Sequence, residues 1–179
     1  KDELILVDKN NMKVKTFLPY ASSTGNTTDQ LYDLGVLEDQ LYLFYRSGLL
    51  ICYNLKSHQE IYRQKLPDEL PKGKYENTSY VVPGNNTFYQ LRNGSQGGVM
   101  LNYDITRKKW NIVFQTDYRL NSLSIDKDSS IWVSCYMGLW NIDAGLINKQ
   151  YIPNLKLVDG RTINTEVSTL YNDNQGGMW

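Results

Sequence analysis

The chain has little of what most chemistry needs. It holds one histidine, His58, and two cysteines, Cys52 and Cys135. A histidine with no second histidine or cysteine near it in sequence supplies neither a metal-ligand spacing nor a Cys–His pair, so His58 reads as part of a solvent-facing hairpin. The two cysteines fall in strands of different repeat units, too far apart to bridge, and read as small buried apolar residues. Basic and acidic residues balance at 19 each, without the excess or stripe of positive charge that nucleic-acid partners select. No apolar run approaches the ~20 residues of a membrane span, and no signal-peptide pattern opens the chain. Neither a nucleic acid nor a membrane is therefore expected to contact this segment. Hydrolase, metalloprotease and phosphate-loop motifs are missing. Asp126-Lys127-Asp128 opens like a calcium loop, but Ile131 and Met137 occupy its sixth and twelfth positions, where glycine and glutamate are needed. Triplets of the glycosylation type begin at Asn26, Asn77, Asn85 and Asn93, as Asn-rich turns produce by chance. No catalytic residue, metal or cofactor is expected.

What is present is β-forming and repetitive. Fourteen tyrosines and four tryptophans suit pleated, half-buried surfaces. The stretch LSIDKDSSIWVSCYMGLWNID, residues 123–143, reads as strand, polar turn, strand, tight turn and strand. Leu123, Asp126 and Trp132 return as Leu170, Asp173 and Trp179 at a constant offset of 47 residues. Weaker copies lie at 37–54 and 83–104, and the central aromatics Tyr42, Phe88, Trp132 and Trp179 are spaced by 46, 44 and 47 residues. Leu4–Asp8 aligns with Leu139–Asp143. A period of this size with about four short strands per unit is the mark of a propeller blade.

The predicted fold is all-β: four-stranded antiparallel β-propeller blades, about four of them. Their pieces are placed at 1–18, 31–66, 78–116, 120–152 and 165–179 of a single propeller domain. Loops are predicted at 19–30, 67–77, 92–98 and 153–164, and no helical period is sustained anywhere. The ends admit two readings: a closed four-bladed ring, or a partial arc of a larger, seven-bladed propeller. The arc is preferred because four is the low end of the usual blade number. An arc leaves open sheet faces at its ends, so self-association, as a homodimer or larger, is expected through Leu4–Phe17 and Val167–Trp179. Trp132 is predicted to be buried between sheets, with Trp140 between blades or facing a groove.

In a propeller, the loops after the second and fourth strands of each blade share one face. These loops carry Tyr45, Arg46, Arg92, Asn93, Tyr118, Arg119 and Tyr136. Arginine offers a planar fork of donors and tyrosine an apolar ring with a polar tip. Together they suit a sulfated, carboxylated or neutral sugar, and they are the candidate ligand-binding residues. Asp39, Asp126 and Asp173 are accounted for by the turn between first and second strands.

IDKDSSIW followed by GLWNID, with NDNQGGMW near the C-terminus, resembles the two-component-regulator propeller repeat. Tyr42 and Phe88 stand where that repeat has tryptophan, and Ser129-Ser130 where it prefers glycine. The resemblance implies the periplasmic sensor region of a Bacteroidetes-type hybrid two-component histidine kinase. Such a region detects glycans or oligosaccharides, controls polysaccharide-utilisation genes, is not itself an enzyme, and belongs to a membrane-anchored protein. The family's motif residues are structural, so no binding residue transfers. The alternatives are a propeller polysaccharide lyase or glycoside hydrolase, and a protein-interaction propeller.

Overall fold

The structure, a computed structural model, describes residues 3–19, 29–71, 74–75, 77–164, 166–173, 175 and 177–179. Every regular element is a strand, and no helix occurs among the described residues. β1 (Glu3–Val7) and β2 (Val14–Pro19) pair antiparallel. β3 (Leu31–Leu37), β4 (Gln40–Tyr45), β5 (Leu50–Asn54) and β6 (Glu60–Gln64) form one four-stranded sheet in chain order. A second sheet holds β7 (Asn77–Gly84), β8 (Thr87–Gly94), β9 (Gly97–Asp104) and β10 (Lys109–Thr116). A third holds β11 (Leu120–Ile125), β12 (Ile131–Cys135), β13 (Gly138–Ile142) and β14 (Lys149–Ile152). A short pair, β15 (Leu155–Lys156) and β16 (Thr162–Ile163), follows. Three antiparallel four-stranded meanders are the all-β blade architecture that the repeat implies. The chain divides into two compact units, Lys1–Leu66 and Pro67–Trp179.

Alternation along the strands sets the packing in each unit. In the first, Leu41, Leu43, Tyr45 and Ile51 form a buried cluster with Leu31, Leu49, Tyr53 and Leu55 against it. In the second, Leu91, Met100 and Phe114 from one sheet meet Leu123, Ile131, Val133, Cys135 and Ile142 from the next. Each such aliphatic side chain removed from water is worth about 1.5–3 kcal/mol, and this shared core is what fastens sheet to sheet. Both cysteines are buried, and neither is joined in a disulfide.

Several expectations need correction. Trp132 alternates with Ile131 and Val133, so it lies on the face turned away from that core, and it is only partly buried. On its face the described contacts come from the segment 166–173, where Leu170 N–H donates to Ser122 Oγ at 3.2 Å, rather than from a complete sheet. The predicted loop 92–98 is mostly strand, because Ser95-Gln96 closes a two-residue hairpin in which Asn93 pairs Gly98 and Gly94 pairs Gly97. The predicted loop 153–164 contains the β15–β16 hairpin. Among its described residues the last stretch is paired by one bridge, Asn172 to Met178, and Trp179 is exposed with its Nε1 donating to Asp173 Oδ2 at 2.7 Å. Of the predicted loops at 19–30 and 67–77, residues 20–28, 72–73 and 76 lie outside the described residues, as does Asn26.

The turns repeat a device that the sequence carries at matching positions. Asp8, Asn54, Asp104 and Asp143 follow or close β1, β5, β9 and β13, and each accepts backbone N–H groups in the next turn. The donors are Asn10, Lys56 with Ser57, Arg107, and Ile147 with Asn148. Each turn then takes a positive φ, at Met12, His58, Lys108 and Leu146. The N–H of Ile147 holds the Asp143 carboxyl below the usual carboxylate range, ahead of the other contributions. A depressed carboxylate supports the fold above its unfolded-state value and loses that support as pH falls through the folded one.

Between second and third strands the constraint is steric. Gly138 has φ +98°, and a Cβ there would lie 2.2 Å from the Ile152 carbonyl oxygen at the end of β14. Gly160 has φ +85° with nothing within 4 Å of an added Cβ. Gly160→Ala is therefore expected to cost about 1 kcal/mol of backbone strain, and Gly138→Ala about 3 kcal/mol or more because it adds a clash. Urea unfolding at constant slope reads both; equal costs would contradict the close approach of β14.

Candidate functional site

The strands place the predicted binding residues in two groups. Tyr45 ends β4 and is buried in the first unit's core, while the neighbouring Arg46 is exposed and its backbone N–H donates to Gln30 O at 2.8 Å. Arg92 and Asn93 lie in β8 rather than in a loop. Arg92 is 1% exposed and its Nε donates to Tyr75 O at 3.1 Å. Its guanidinium is spent inside the protein. Asn93 is also buried: its Nδ2 donates to Leu120 O at 2.7 Å, and Leu120 N–H donates to its Oδ1 at 2.9 Å. A carboxamide carries the same donor and acceptor as a peptide group. Asn93 therefore extends the pairing of one blade onto the first residue of the next blade's inner strand. Gly98, paired opposite, leaves room for it; a Cβ there would come within 2.7 Å of both Asn93 Oδ1 and Leu120 Cγ.

Tyr118, Arg119 and Tyr136 form the second group, and all three are exposed. The joint brings them together. Tyr136 N–H donates to Arg119 O at 3.1 Å, tying the turn after β12 to the connection between β10 and β11. Tyr118 is 38% exposed and stacks on Tyr151, with ring centroids 5.8 Å apart and planes 20° from parallel. Tyr151 contacts Trp140 at 5.0 Å, and Trp140 contacts Phe114 at 4.9 Å. The result is an aromatic ladder running from the sheet-to-sheet core to the surface. Trp140 thus packs between blades, as one of its two predicted placements had it. The sequence reading did not connect Tyr151 to the site, although its hydroxyl donates to Met137 O and so braces the turn carrying Tyr136.

The ladder is chemically quiet. Desolvation is the first cause that raises the Tyr151 hydroxyl above its ordinary pKa. Burial likewise pushes the Cys135 thiol up, and its Sγ donates to Gly138 O at 3.4 Å. A thiol held protonated is a poor nucleophile. Among the described residues no group of three or more His, Cys, Asp or Glu side chains gathers to hold a metal. The arrangement presents a ring face at Tyr118, a phenol at Tyr136 and the cation of Arg119.

Trp140→Ala is expected to cost on the order of 3 kcal/mol, because it empties the middle of the ladder. Tyr118→Ala should cost no more than about 1.5 kcal/mol, the worth of one aromatic pair. Unfolding followed by circular dichroism distinguishes them, and equal losses would show that the ladder does not reach the core.

No protein-family model matches the sequence, and no curated protein matches it. Solved structures do match. Sqt1 of Saccharomyces cerevisiae aligns with TM-score 0.68 at 13% identity, over 94% of this chain and 44% of that one. The extracellular domain of B. thetaiotaomicron BT3049, described as a hybrid two component system, aligns with TM-score 0.64 at 12% identity, over 97% of this chain and 22% of that one. The β-propeller domain of Myceliophteria thermophila Cps50 (Swd1) aligns with TM-score 0.58 at 12% identity, over 97% and 53%. The chain spans less than half the length of the first two and about half of the third. At these identities the likeness is one of fold, and the chain is built of β-propeller blades.

Proposed function

We propose that this chain is part of an extracytoplasmic, ligand-sensing β-propeller of a hybrid two-component system, and that its ligand is a glycan or oligosaccharide. The observation that carries the reading is the exposed Tyr118–Arg119–Tyr136 group, held on an aromatic ladder at the joint of two blades. A flat ring beside a forked cation suits a sugar ring bearing hydroxyl, carboxylate or sulfate groups. The fold likeness to the extracellular domain of BT3049 supports the sensor role, as does the D-x-x-[SG]-x-hydrophobic-Trp repeat ending at Trp132 and Trp179. The segment acts by binding rather than by catalysis, and its location is periplasmic. Polysaccharide cleavage is the competing reading.

The test uses the full chain with host and plant oligosaccharides, read by calorimetry and by assay of new reducing ends or unsaturated products. At least one oligosaccharide is expected to bind without being cleaved. Tyr118→Ala and Arg119→Ala should each weaken it about tenfold, the equivalent of roughly 1.4 kcal/mol. Appearance of cleavage products, or binding indifferent to both substitutions, would overturn the reading.

A further inference from the structure

The blade of β7–β10 carries an open cleft of about 450 Å³ at the end opposite the β8–β9 hairpin, between the Asn85-Asn86 turn and the turn joining β9 to β10. Its volume lies within the roughly 300–1,000 Å³ of small-molecule sites. The floor follows from register. Tyr89 pairs Asn102 across β8 and β9, and Leu91 pairs Met100 one step further along the same face. Leu91 and Met100 belong to the core shared with the next sheet. Two residues on, the face turns polar and opens. Gly84 makes this possible: a Cβ there would stand 2.7 Å from Tyr89 Cε2, so the ring lies where a side chain would otherwise be.

Three groups in this cleft have polar capacity to spare. The side-chain amides of Asn85 and Asn102 and the hydroxyl of Tyr89 make no hydrogen bond among the described residues, and Asn102 and Tyr89 are both half-buried. Because the cleft is open, these groups remain available to hydrogen-bond a ligand that enters it. The charges present offset each other: Arg107 Nη1 lies 3.8 Å from Asp104 Oδ2, and Arg107 N–H donates to Asp104 Oδ1 at 2.8 Å. Desolvation raises the Tyr89 hydroxyl above its ordinary pKa, so it stays neutral and both donates and accepts.

We infer that this cleft is a second binding site, for the pyranose ring of a neutral saccharide. The amides and the carboxylate–guanidinium pair offer donors and acceptors side by side, as neighbouring hydroxyls require, and the Tyr89 ring offers an apolar surface for the sugar's C–H face. The Asp104–Arg107 pair adds no net charge to the cleft, so an acidic sugar gains nothing over a neutral one. The site stands on its own residues and does not depend on Tyr118 or Arg119, which follow the other end of the blade, or on Tyr136 of the next blade.

Side-chain amide signals of the full chain, followed by NMR during titration with neutral mono- and disaccharides (glucose, galactose, mannose, xylose, cellobiose and maltose) and with glucuronate, test it. The Asn85 and Asn102 signals are expected to shift with at least one neutral saccharide, and no more strongly with glucuronate. Asn102→Ala should weaken that binding about tenfold. Gly84→Ala, which removes no polar group but displaces the Tyr89 ring, should do the same. Tyr118→Ala should leave it unchanged, so failure of the Tyr118 surface and failure of this cleft give different results. If Gly84→Ala does not fold, Asn102→Ala decides alone. Absence of any neutral-saccharide shift, preference for glucuronate, or unchanged affinity in Asn102→Ala would overturn the assignment.

Discussion

The two hydrogen bonds between the Asn93 carboxamide and the backbone of Leu120, at 2.7 and 2.9 Å, hold the second unit's geometry. A single antiparallel sheet buries one face well only when another sheet covers it, and the four-residue spacing from the end of β10 to the start of β11 leaves little chain to guide the next blade into place. Asn93 fixes where β11 begins. From there Leu123 falls on the face that meets Leu91, Met100 and Phe114, and a one-residue slip of β11 would turn that face over. Both partners are buried, so the bonds are made without competition from water and their loss would leave unpaired backbone groups.

One blade on, the contacts with the next segment come from the first strand and the turn after it. Asn121 Nδ2 donates to Val167 O at 3.1 Å, Leu170 N–H to Ser122 Oγ at 3.2 Å, and Asn172 Nδ2 to Asp126 Oδ1 at 2.8 Å. Asn121 and Ser122 of β11 thus receive the backbone of the next segment, and Asn172 adds a side-chain bond to the turn. The candidate site is a by-product of this architecture. Wherever a blade hands the chain to its neighbour, the exit of the fourth strand meets the turn after the next blade's second strand, as Arg119 meets Tyr136. Residues far apart in sequence become adjacent on a frame whose position is already set.

The blade repeat was legible because its signals are local. Asp126 and Ser129 form the turn expected of them, with Ser129 at φ 66°, a conformation that costs glycine nothing and serine something. What was not legible depends on pairing. Asn93-Gly94-Ser95-Gln96-Gly97-Gly98 has loop composition, yet four of those six residues pair in the hairpin's strands, and Asn93 turns inward. Tyr45 and Arg92 were misplaced onto the surface for the same reason: chemistry that suits a ligand also suits a buried partner, and only register decides. Trp132 looked like a core residue by type, but the core-forming side of β12 belongs to Ile131, Val133 and Cys135. The repeated Asp or Asn at the ends of β1, β5, β9 and β13 could have been found by extending the Leu4–Asp8 and Leu139–Asp143 match to Asn54 and Asp104.

Amide hydrogen exchange at Leu120 tests the central claim most directly. Leu120 N–H should be as protected as the amides inside β12, and Asn93→Ala should accelerate its exchange by about ten- to a hundredfold, the equivalent of roughly 1–3 kcal/mol for an unpaired buried group. Amides of β4, in the other unit, should be unaffected. Fast exchange at Leu120 in the unaltered chain, or protection that survives Asn93→Ala, would contradict the account.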